Sequence, residues 1–171
     1  MTNLMEAVSI DYDLGKHGWS RFKLSVGSAS VTVGPFGYCS DALGDLVRAA
    51  LMIGTYGFEA EVSFDGEPRE WRLMAGAYFD PAWSNWTDFR LRVLDQGTKV
   101  FEAECSAEAF VRAVLNVAQG ILDEYGIDGY DEVWGGPRGF PLRALSALKT
   151  AVSISEPRTT WASSTEDRPA S

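Results

Sequence analysis

The order of secondary-structure elements in this sequence predicts an α+β fold, in which a bent, mostly antiparallel sheet of about seven strands packs against a long helix in the C-terminal half. Seven short runs alternate apolar with polar residues, as strands with one buried face do. Three other segments repeat apolar residues every three or four positions, which indicates amphipathic helices. The predicted order is three strands, one helix, four strands and two helices, and such segregation is typical of α+β proteins.

Length and composition predict one domain. A chain of 171 residues with 46% hydrophobic and 12% aromatic residues is large and apolar enough to bury a substantial core, and we assign residues 1–154 to it. From residue 155 the chain is rich in Ser, Thr, Pro and charge, so residues 155–171 are predicted to be a disordered tail. Trp161 in this tail is either incidental or a docking residue.

The N-terminal part is predicted to form a three-stranded meander followed by a helix. Three alternating runs lie between residues 8 and 33, with glycine-containing turns between them. Ser40 or Asp41 caps the first helix, which ends at Gly54 or Gly57. The apolar stripe of this helix consists of Leu43, Leu46, Val47, Ala50 and Leu51.

A first hairpin is predicted between Phe58 and Ala75, with a four-residue loop at residues 66–69. Side-chain parity sets its register. Phe64 must lie opposite Trp71, because a one-residue slip would turn the apolar side chains of one strand to solvent.

A second hairpin is predicted over residues 89–105. A three-residue loop at residues 96–98 places Val93 opposite Phe101, whereas a two-residue loop would set a charged residue against this phenylalanine. The same register predicts cross-strand ion pairs on the solvent face. These pairs are Arg92 with Glu102 and Arg90 with Glu104.

Two helices complete the predicted fold. Ser106 caps a long helix that Gly126 terminates, and Pro141 begins a third helix at its first position. The buried stripe of the long helix is Phe110, Val114, Val117, Ile121 and Tyr125. The inward residues of the third helix are Leu142, Leu145 and Leu148.

Charge and hydropathy exclude two classes of partner. A net charge of −9 opposes binding to the phosphate backbone, so we do not expect a nucleic-acid-binding protein. The sequence has no apolar run of membrane-spanning length and its start lacks the features of a signal peptide, so we expect a cytoplasmic protein. Cys39 and Cys105 stand far apart, which suits a reducing compartment, and both are predicted to be buried thiols.

No motif predicts catalysis, a cofactor or a metal site. The single histidine, His17, lies in a glycine-flanked turn without a nucleophile motif, and one histidine cannot build a multi-histidine metal centre. The acidic residues 123–132 lack the spacing of a calcium-binding loop and are interpreted as a helix end followed by a solvated turn. A carboxylate cluster for hydrolysis would need several glutamates to converge in space. The candidates are Glu59, Glu61, Glu67 and Glu70.

Two groups of residues suit a protein partner. Trp83 and Trp86 occur in a stretch with no regular period, where they either fold over the core or form a binding hot spot. Carboxylates near Trp134 suit a basic surface. The predicted partner-binding residues are Asp123, Glu124, Asp128, Asp131, Glu132, Trp83, Trp86 and Trp134.

Three stretches carry a family resemblance: residues 40–46, residues 64–72, and the Tyr125-Gly126 pair with Tyr130 before Trp134. This pattern resembles that of uncharacterised bacterial proteins. In size, acidity and architecture the chain also resembles the small immunity proteins of bacterial toxin systems. The resemblance implies a non-enzymatic protein that neutralises a partner, predicted to be basic, by direct binding. The alternatives are a small hydrolase that uses a carboxylate cluster or His17, and a subunit of a homo-oligomer.

Overall fold

The elements of the computed structural model follow the predicted order. The structure describes residues 7–57 and 59–155, so Phe58, the tail beyond residue 155 and Trp161 lie outside the described residues. Within these ranges there are nine strands and three helices. They are β1 Val8–Asp13, β2 Trp19–Val26, β3 Ala29–Gly37, α1 Ala42–Tyr56, β4 Ala60–Asp65, β5 Glu70–Gly76, β6 Phe79–Asp80, β7 Asn85–Trp86, β8 Arg90–Asp95, β9 Thr98–Glu104, α2 Ala107–Trp134 and α3 Leu142–Ser155.

The predicted α+β class is confirmed, with antiparallel strand pairing throughout the described sheets. The seven long strands divide into a three-stranded sheet, β1-β2-β3, and a four-stranded sheet, β4-β5-β8-β9. The two sheets meet where the Phe64 ring contacts those of Phe22 and Phe36, at centroid distances of 5.1 and 5.0 Å. The short strands β6 and β7 pair separately, and the sequence did not predict them.

The register of both predicted hairpins is confirmed. Phe64 pairs with Trp71, and Val93 pairs with Phe101. The second hairpin reaches this register by a different route, since its turn has two central residues and a β-bulge follows in β9. The bulge adds one residue to β9, as the predicted three-residue loop would have done. The apolar side chains of both strands therefore still face the same side of the sheet.

One of the two predicted ion pairs does not form. Arg90 pairs with Glu104 at 3.7 Å and with Glu102 at 3.4 Å. The guanidinium of Arg92 instead lies over the Tyr78 ring, 4.0 Å from its centroid. The Tyr78 hydroxyl donates a hydrogen bond to Glu102, 2.9 Å away. Tyr78 therefore lies between Arg92 and Glu102, which the sequence pattern had predicted to form an ion pair.

Helix α1 begins after Asp41 and ends at Gly57, whose left-handed conformation lets its N–H donate to the Ile53 carbonyl at 2.9 Å. Four of the five predicted stripe residues are buried, and Leu51 is partly buried. The Asp41 side chain does not cap the helix. It accepts a hydrogen bond from Arg48 at 2.7 Å instead.

Helix α2 packs against β1, α1 and α3, and a kink divides it. Ser106 caps it as predicted, because its Oγ accepts from the Ala109 N–H at 3.0 Å. Gly126 breaks the helical backbone with a φ of 68°, but the chain resumes a helix that ends at Trp134. The prediction of a helix stop at Gly126 was therefore right about the break and wrong about the end. Residues 127–134 are helical rather than a solvated turn.

Helix α3 follows directly after Pro141, as predicted. Leu145 and Leu148 are fully buried, but Leu142 is 45% exposed, so its predicted inward orientation was wrong. Leu142 is the first residue of α3, at the exposed end of the helix. None of the helices in the described residues is both long and apolar enough to cross a lipid bilayer.

Candidate functional site

Three aromatic side chains project from the short hairpin of β6 and β7. Trp83 is 83% exposed, Trp86 is 64% exposed and Phe79 is 49% exposed. The rings of Phe79 and Trp86 meet edge to face, with centroids 6.0 Å apart. We call residues 79–86, with these three rings, the aromatic hairpin. The interpretation that these tryptophans fold over the core is wrong, because both point to solvent.

Two hydrogen bonds between Tyr78 and Thr87 hold the base of the aromatic hairpin. The Tyr78 N–H donates to Thr87 Oγ1 at 3.0 Å, and the Thr87 N–H donates to the Tyr78 carbonyl at 2.8 Å. At its tip the Asp80 carboxylate accepts from the Ala82 N–H at 3.0 Å. Asp80 and its neighbours also form a turn in which Ser84 has a positive φ of 50°. The exposed rings are therefore mounted on an ordered hairpin rather than on a loose connection.

The aromatic hairpin forms one wall of a groove of about 440 Å³ on the outer face of the four-stranded sheet. Its floor is a transverse row of three side chains, since Glu61 on β4 pairs with Met74 on β5, which pairs with Arg92 on β8. Phe79 and Trp86 line the aromatic side. The groove thus combines apolar, aromatic and charged surface.

The acidic side of the groove is formed by Glu59 and Glu61, both exposed. Glu61 accepts from Arg72 at 3.1 Å, whereas Glu59 makes no ion pair with any described residue. Gly76 permits this approach of Glu59, because a Cβ on Gly76 would lie 2.6 Å from the Cβ of Glu59. Opposite them, the guanidinium of Arg92 stacks on the Tyr78 ring and is not paired with a carboxylate of any described residue.

No family model, curated protein or solved structure matches this chain. The resemblance to immunity proteins stays a prediction from size, charge and architecture.

The predicted acidic residues lie along the second half of α2, on both sides of its kink, and all are exposed. We call Asp123, Glu124, Asp128, Asp131 and Glu132 the acidic segment. None of them forms an ion pair within the part of the chain that the structure describes. Asp131 has a structural role as well, because it accepts from the Phe140 N–H at 3.2 Å. The uncompensated charge makes this segment a source of negative potential.

Trp134 belongs to the core rather than to a partner surface. It is 2% exposed, and its ring contacts Phe36 and Tyr130 at centroid distances of 6.5 Å. The second half of α2 turns this side chain inward as the kink redirects the helix. The structure therefore divides the predicted partner residues between the aromatic hairpin and the acidic segment, and it removes Trp134 from the surface.

Of the features suggested for an enzyme, Glu59 and Glu61 line the groove together, and the others lie apart in the described residues. His17 is exposed and makes no hydrogen bond with any residue that the structure describes. Glu61 and Glu70 converge on Arg72, at 3.1 and 2.6 Å, rather than on each other. Glu67 lies elsewhere, against Cys39. These glutamates therefore act as ion-pair and hydrogen-bond partners.

Three potential metal ligands do come together, at Cys39, Asp65 and Glu67, whose ligand atoms lie within 4.8 Å of one another. The Cys39 thiol donates a hydrogen bond to Glu67 at 2.8 Å, and this bond raises the pKa of Cys39. A protonated thiol is a poor metal ligand, because the thiolate is the ligating form. Cys39 is exposed, contrary to prediction, whereas Cys105 is buried and burial raises its pKa to about 11.

Sequence reasoning missed Phe79 and the groove floor. Phe79 follows the predicted strand that ends near Ala75, and a two-residue strand is too short to display an alternating pattern. Arg92 was placed correctly on a solvent-facing strand position, but the ring that lies against its guanidinium is that of Tyr78, which the sequence pattern did not place. The available signal was the density of aromatic residues between 78 and 89.

Proposed function

We propose that the protein is a non-enzymatic binding module that captures a basic protein partner at the aromatic hairpin and its groove, as immunity proteins capture toxins. The observation that carries this proposal is the exposure of Trp83, Trp86 and Phe79 together on one ordered hairpin. Tryptophan is the side chain most enriched among binding hot spots.

The energetic reason is the apolar area that these rings leave in water. A tryptophan buries on the order of 200 Å² when fully covered. Because Trp83 is 83% exposed, covering it contributes about 4 kcal/mol at roughly 25 cal/mol per Å². The hairpin is already held by the hydrogen bonds between Tyr78 and Thr87. Little backbone entropy is therefore lost on binding, and more of this energy remains for affinity.

The charge around the groove favours a basic partner. Glu59 and Glu61 line one wall, and the indole of Trp86 offers a face to a Lys or Arg side chain. The acidic segment of α2, with the net charge of −9, would steer such a partner over a longer range. We place this function in the cytoplasm, where unpaired Cys39 and Cys105 are stable.

A comparative affinity pull-down tests the proposal. The tagged chain and its W83A/W86A variant are incubated with lysate of the organism that encodes the protein, at low and moderate salt. We expect a basic protein to be retained by the wild type at low salt, reduced at moderate salt and lost with the variant. The matched control is Trp19→Ala, which alters a half-exposed tryptophan on the other sheet.

Equal retention by the wild type and W83A/W86A would contradict the proposal. Recovery of only the chain itself would also contradict it, and would favour the homo-oligomer alternative.

A further inference from the structure

Strand β4 is an edge of the four-stranded sheet, and a second groove runs along its free side. This groove has a volume of about 510 Å³ and is lined by the five consecutive residues 59–63 and by four residues of α1. Successive side chains of a strand point to opposite faces of a sheet. A groove lined by consecutive residues therefore follows the edge of the strand rather than one of its faces.

A hydrogen bond in the neighbouring turn shows which backbone groups of β4 point into this groove. The Gly66 N–H donates to the Arg69 carbonyl at 2.6 Å, so these two residues form a hydrogen-bonded pair. Along an antiparallel ladder, hydrogen-bonded pairs alternate with non-hydrogen-bonded pairs. In the register of β4 with β5, Val62 therefore bonds to β5, whereas Glu61 and Ser63 direct their N–H and C=O groups away from it.

The N–H and C=O groups of Glu61 and Ser63 have no backbone partner within the described residues. At the C-terminal end of β4, the Asp65 carbonyl lies 3.9 Å from the position that a Cβ on Gly37 would occupy, so β3 lies beside the strand there. The free stretch is therefore residues 59–63. A row of unpaired N–H and C=O groups is a template on which a strand from another chain can pair.

The opposite edge of the same sheet has protection that β4 lacks. A β-bulge interrupts the register between β8 and β9, and Lys99 lies on β9. Bulges and edge lysines are common means of preventing strand addition. In contrast, β4 pairs with β5 in an unbroken register over residues 60–65 and contains neither lysine nor proline. The backbone geometry of β4 is therefore open to an added strand.

The two sides of the β4 groove favour different side chains. On the outer face of the sheet, Glu59 and Glu61 are exposed and carry negative charge. On the inner side the wall is α1, where Ala49 is nearly buried and Met52 is 47% exposed. The charge of Arg48 on this wall is balanced, because its guanidinium bonds two aspartates at 2.7 Å. Alternate side chains of an added strand therefore meet carboxylates on one side and an apolar helix face on the other.

A second copy of this chain suits the edge less well than a basic protein does. Two β4 edges paired with each other would bring the carboxylates of both copies together, and like charges on neighbouring strands are destabilising. A basic strand replaces this repulsion with attraction. Charge complementarity therefore favours a partner of the class proposed for the aromatic hairpin.

We propose that β4 binds an extended segment of a basic protein by strand addition, and that Lys or Arg alternates with apolar residues in this segment. Its basic side chains lie at Glu59 and Glu61, and its apolar side chains lie against Met52. The backbone groups of Glu61 and Ser63 supply the main-chain hydrogen bonds. Glu59 and Glu61 also line the groove of the aromatic hairpin, so one partner can span both sites. This inference rests on the proposed capture of a basic protein and specifies how part of that partner is held.

Nuclear magnetic resonance titration of the isotopically labelled full-length protein tests the proposal. The probe is an eight-residue peptide in which lysine alternates with valine, blocked at both ends. We expect the largest shifts at the amide signals of residues 59–63, and slower solvent exchange of the Glu61 and Ser63 N–H groups in the complex. The control peptide has four lysines followed by four valines. It should bind at least about fivefold more weakly, because it cannot place its charges on one face of a strand.

Two pairs of variants test the backbone and the charge separately. Ser63→Pro removes an edge N–H without removing a bond to β5, and should weaken the alternating peptide about tenfold or more. Ser63→Thr keeps this N–H and is its matched control. E59Q/E61Q should weaken binding several-fold at low salt, whereas D11N/D128N, which removes two exposed carboxylates elsewhere, should not.

Equal binding by Ser63→Pro and Ser63→Thr, or the largest shifts outside residues 59–63, would overturn the proposal. If Ser63→Pro does not fold, E59Q/E61Q and the shift pattern decide. Failure of the peptide to bind, while W83A/W86A still loses the captured partner, would overturn strand addition and leave the aromatic hairpin as the binding surface. Peptide binding at residues 59–63, while W83A/W86A retains the partner, would support strand addition and contradict the role of the aromatic hairpin.

Discussion

The β8–β9 hairpin and the aromatic hairpin differ in where their apolar side chains go. In the first, Leu91, Val93 and Phe101 are buried against the core. In the second, the largest rings of the whole segment face solvent although its base is held by regular hydrogen bonds. The aromatic side chains of residues 79–86 therefore contribute little to the folded core. Its rings are available for a partner.

The largest expected difference between the two hairpins is in stability. Phe101→Ala should lower the free energy of unfolding by about 3 kcal/mol, because it leaves a cavity between β9 and the core. Trp83→Ala should change it by less than about 0.5 kcal/mol, because the ring is 83% exposed. Urea denaturation followed by circular dichroism measures both. If Trp83→Ala lowered the free energy of unfolding by several kcal/mol, the claim that the Trp83 ring does not stabilise the fold would be wrong.

A smaller loss of stability is expected for a substitution at Gly76, where the aromatic hairpin joins the sheet. Gly76 has a φ of 149°, and a Cβ there would lie 2.9 Å from the Glu59 Cα. Gly76→Ala should therefore cost about 1–3 kcal/mol in the free energy of unfolding. Gly97→Ala in the turn of the other hairpin is the control, because nothing lies within 4 Å of its Cβ position and only its positive φ opposes the change. If Gly97→Ala proved the more costly substitution, the close approach at Gly76 would be unimportant.

The acidic segment is expected to affect the rate of association rather than stability. Asp128→Lys with Glu132→Lys should slow binding of the captured partner several-fold at low salt and reduce its salt dependence. The melting temperature should stay nearly the same, since neither carboxylate makes an ion pair with a described residue. Stopped-flow kinetics at two salt concentrations measures this. An unchanged salt dependence of the association rate would contradict the prediction that the acidic segment steers the partner.

The smallest effect concerns acid stability of the β8–β9 hairpin. Lys99, together with the Tyr78 hydroxyl and Arg90, holds the pKa of Glu102 below its ordinary value of 4.5. A lowered carboxylate pKa contributes stability that is present above the ordinary pKa and is lost as the pH falls through the folded-state value. Glu102→Gln should therefore flatten the decline of stability below about pH 4.5. An identical acid profile for wild type and variant would show that this ion-pair network is too solvent-exposed to matter.

Sequence patterns predicted the elements that bury a regular face. Parity placed Phe64 opposite Trp71 and Val93 opposite Phe101, because a slipped strand would expose its apolar side. The sequence pattern could not predict that helix α2 continues beyond Gly126. A glycine with a positive φ is compatible with the end of a helix and with a kink inside one. Only tertiary packing of Trp134 in the core decides between them.

The candidate site was predictable only in part. Trp83 and Trp86 stood out as tryptophans in an irregular stretch, but a period-free segment contains no information on whether a ring points inward or outward. For Asp41 the local pattern gave a definite prediction, a helix cap, but the side chain makes no capping hydrogen bond. Its actual partner is Arg48, about two turns further along α1.

The measurement that tests the central claim most directly is the affinity of the captured partner for the wild type and for W83A/W86A, by isothermal titration calorimetry. Loss of two hot-spot tryptophans should raise the dissociation constant by about thirtyfold or more, with nearly unchanged melting temperature. Equal affinities, in two equally stable proteins, would contradict the account and show that the aromatic hairpin is not the binding surface.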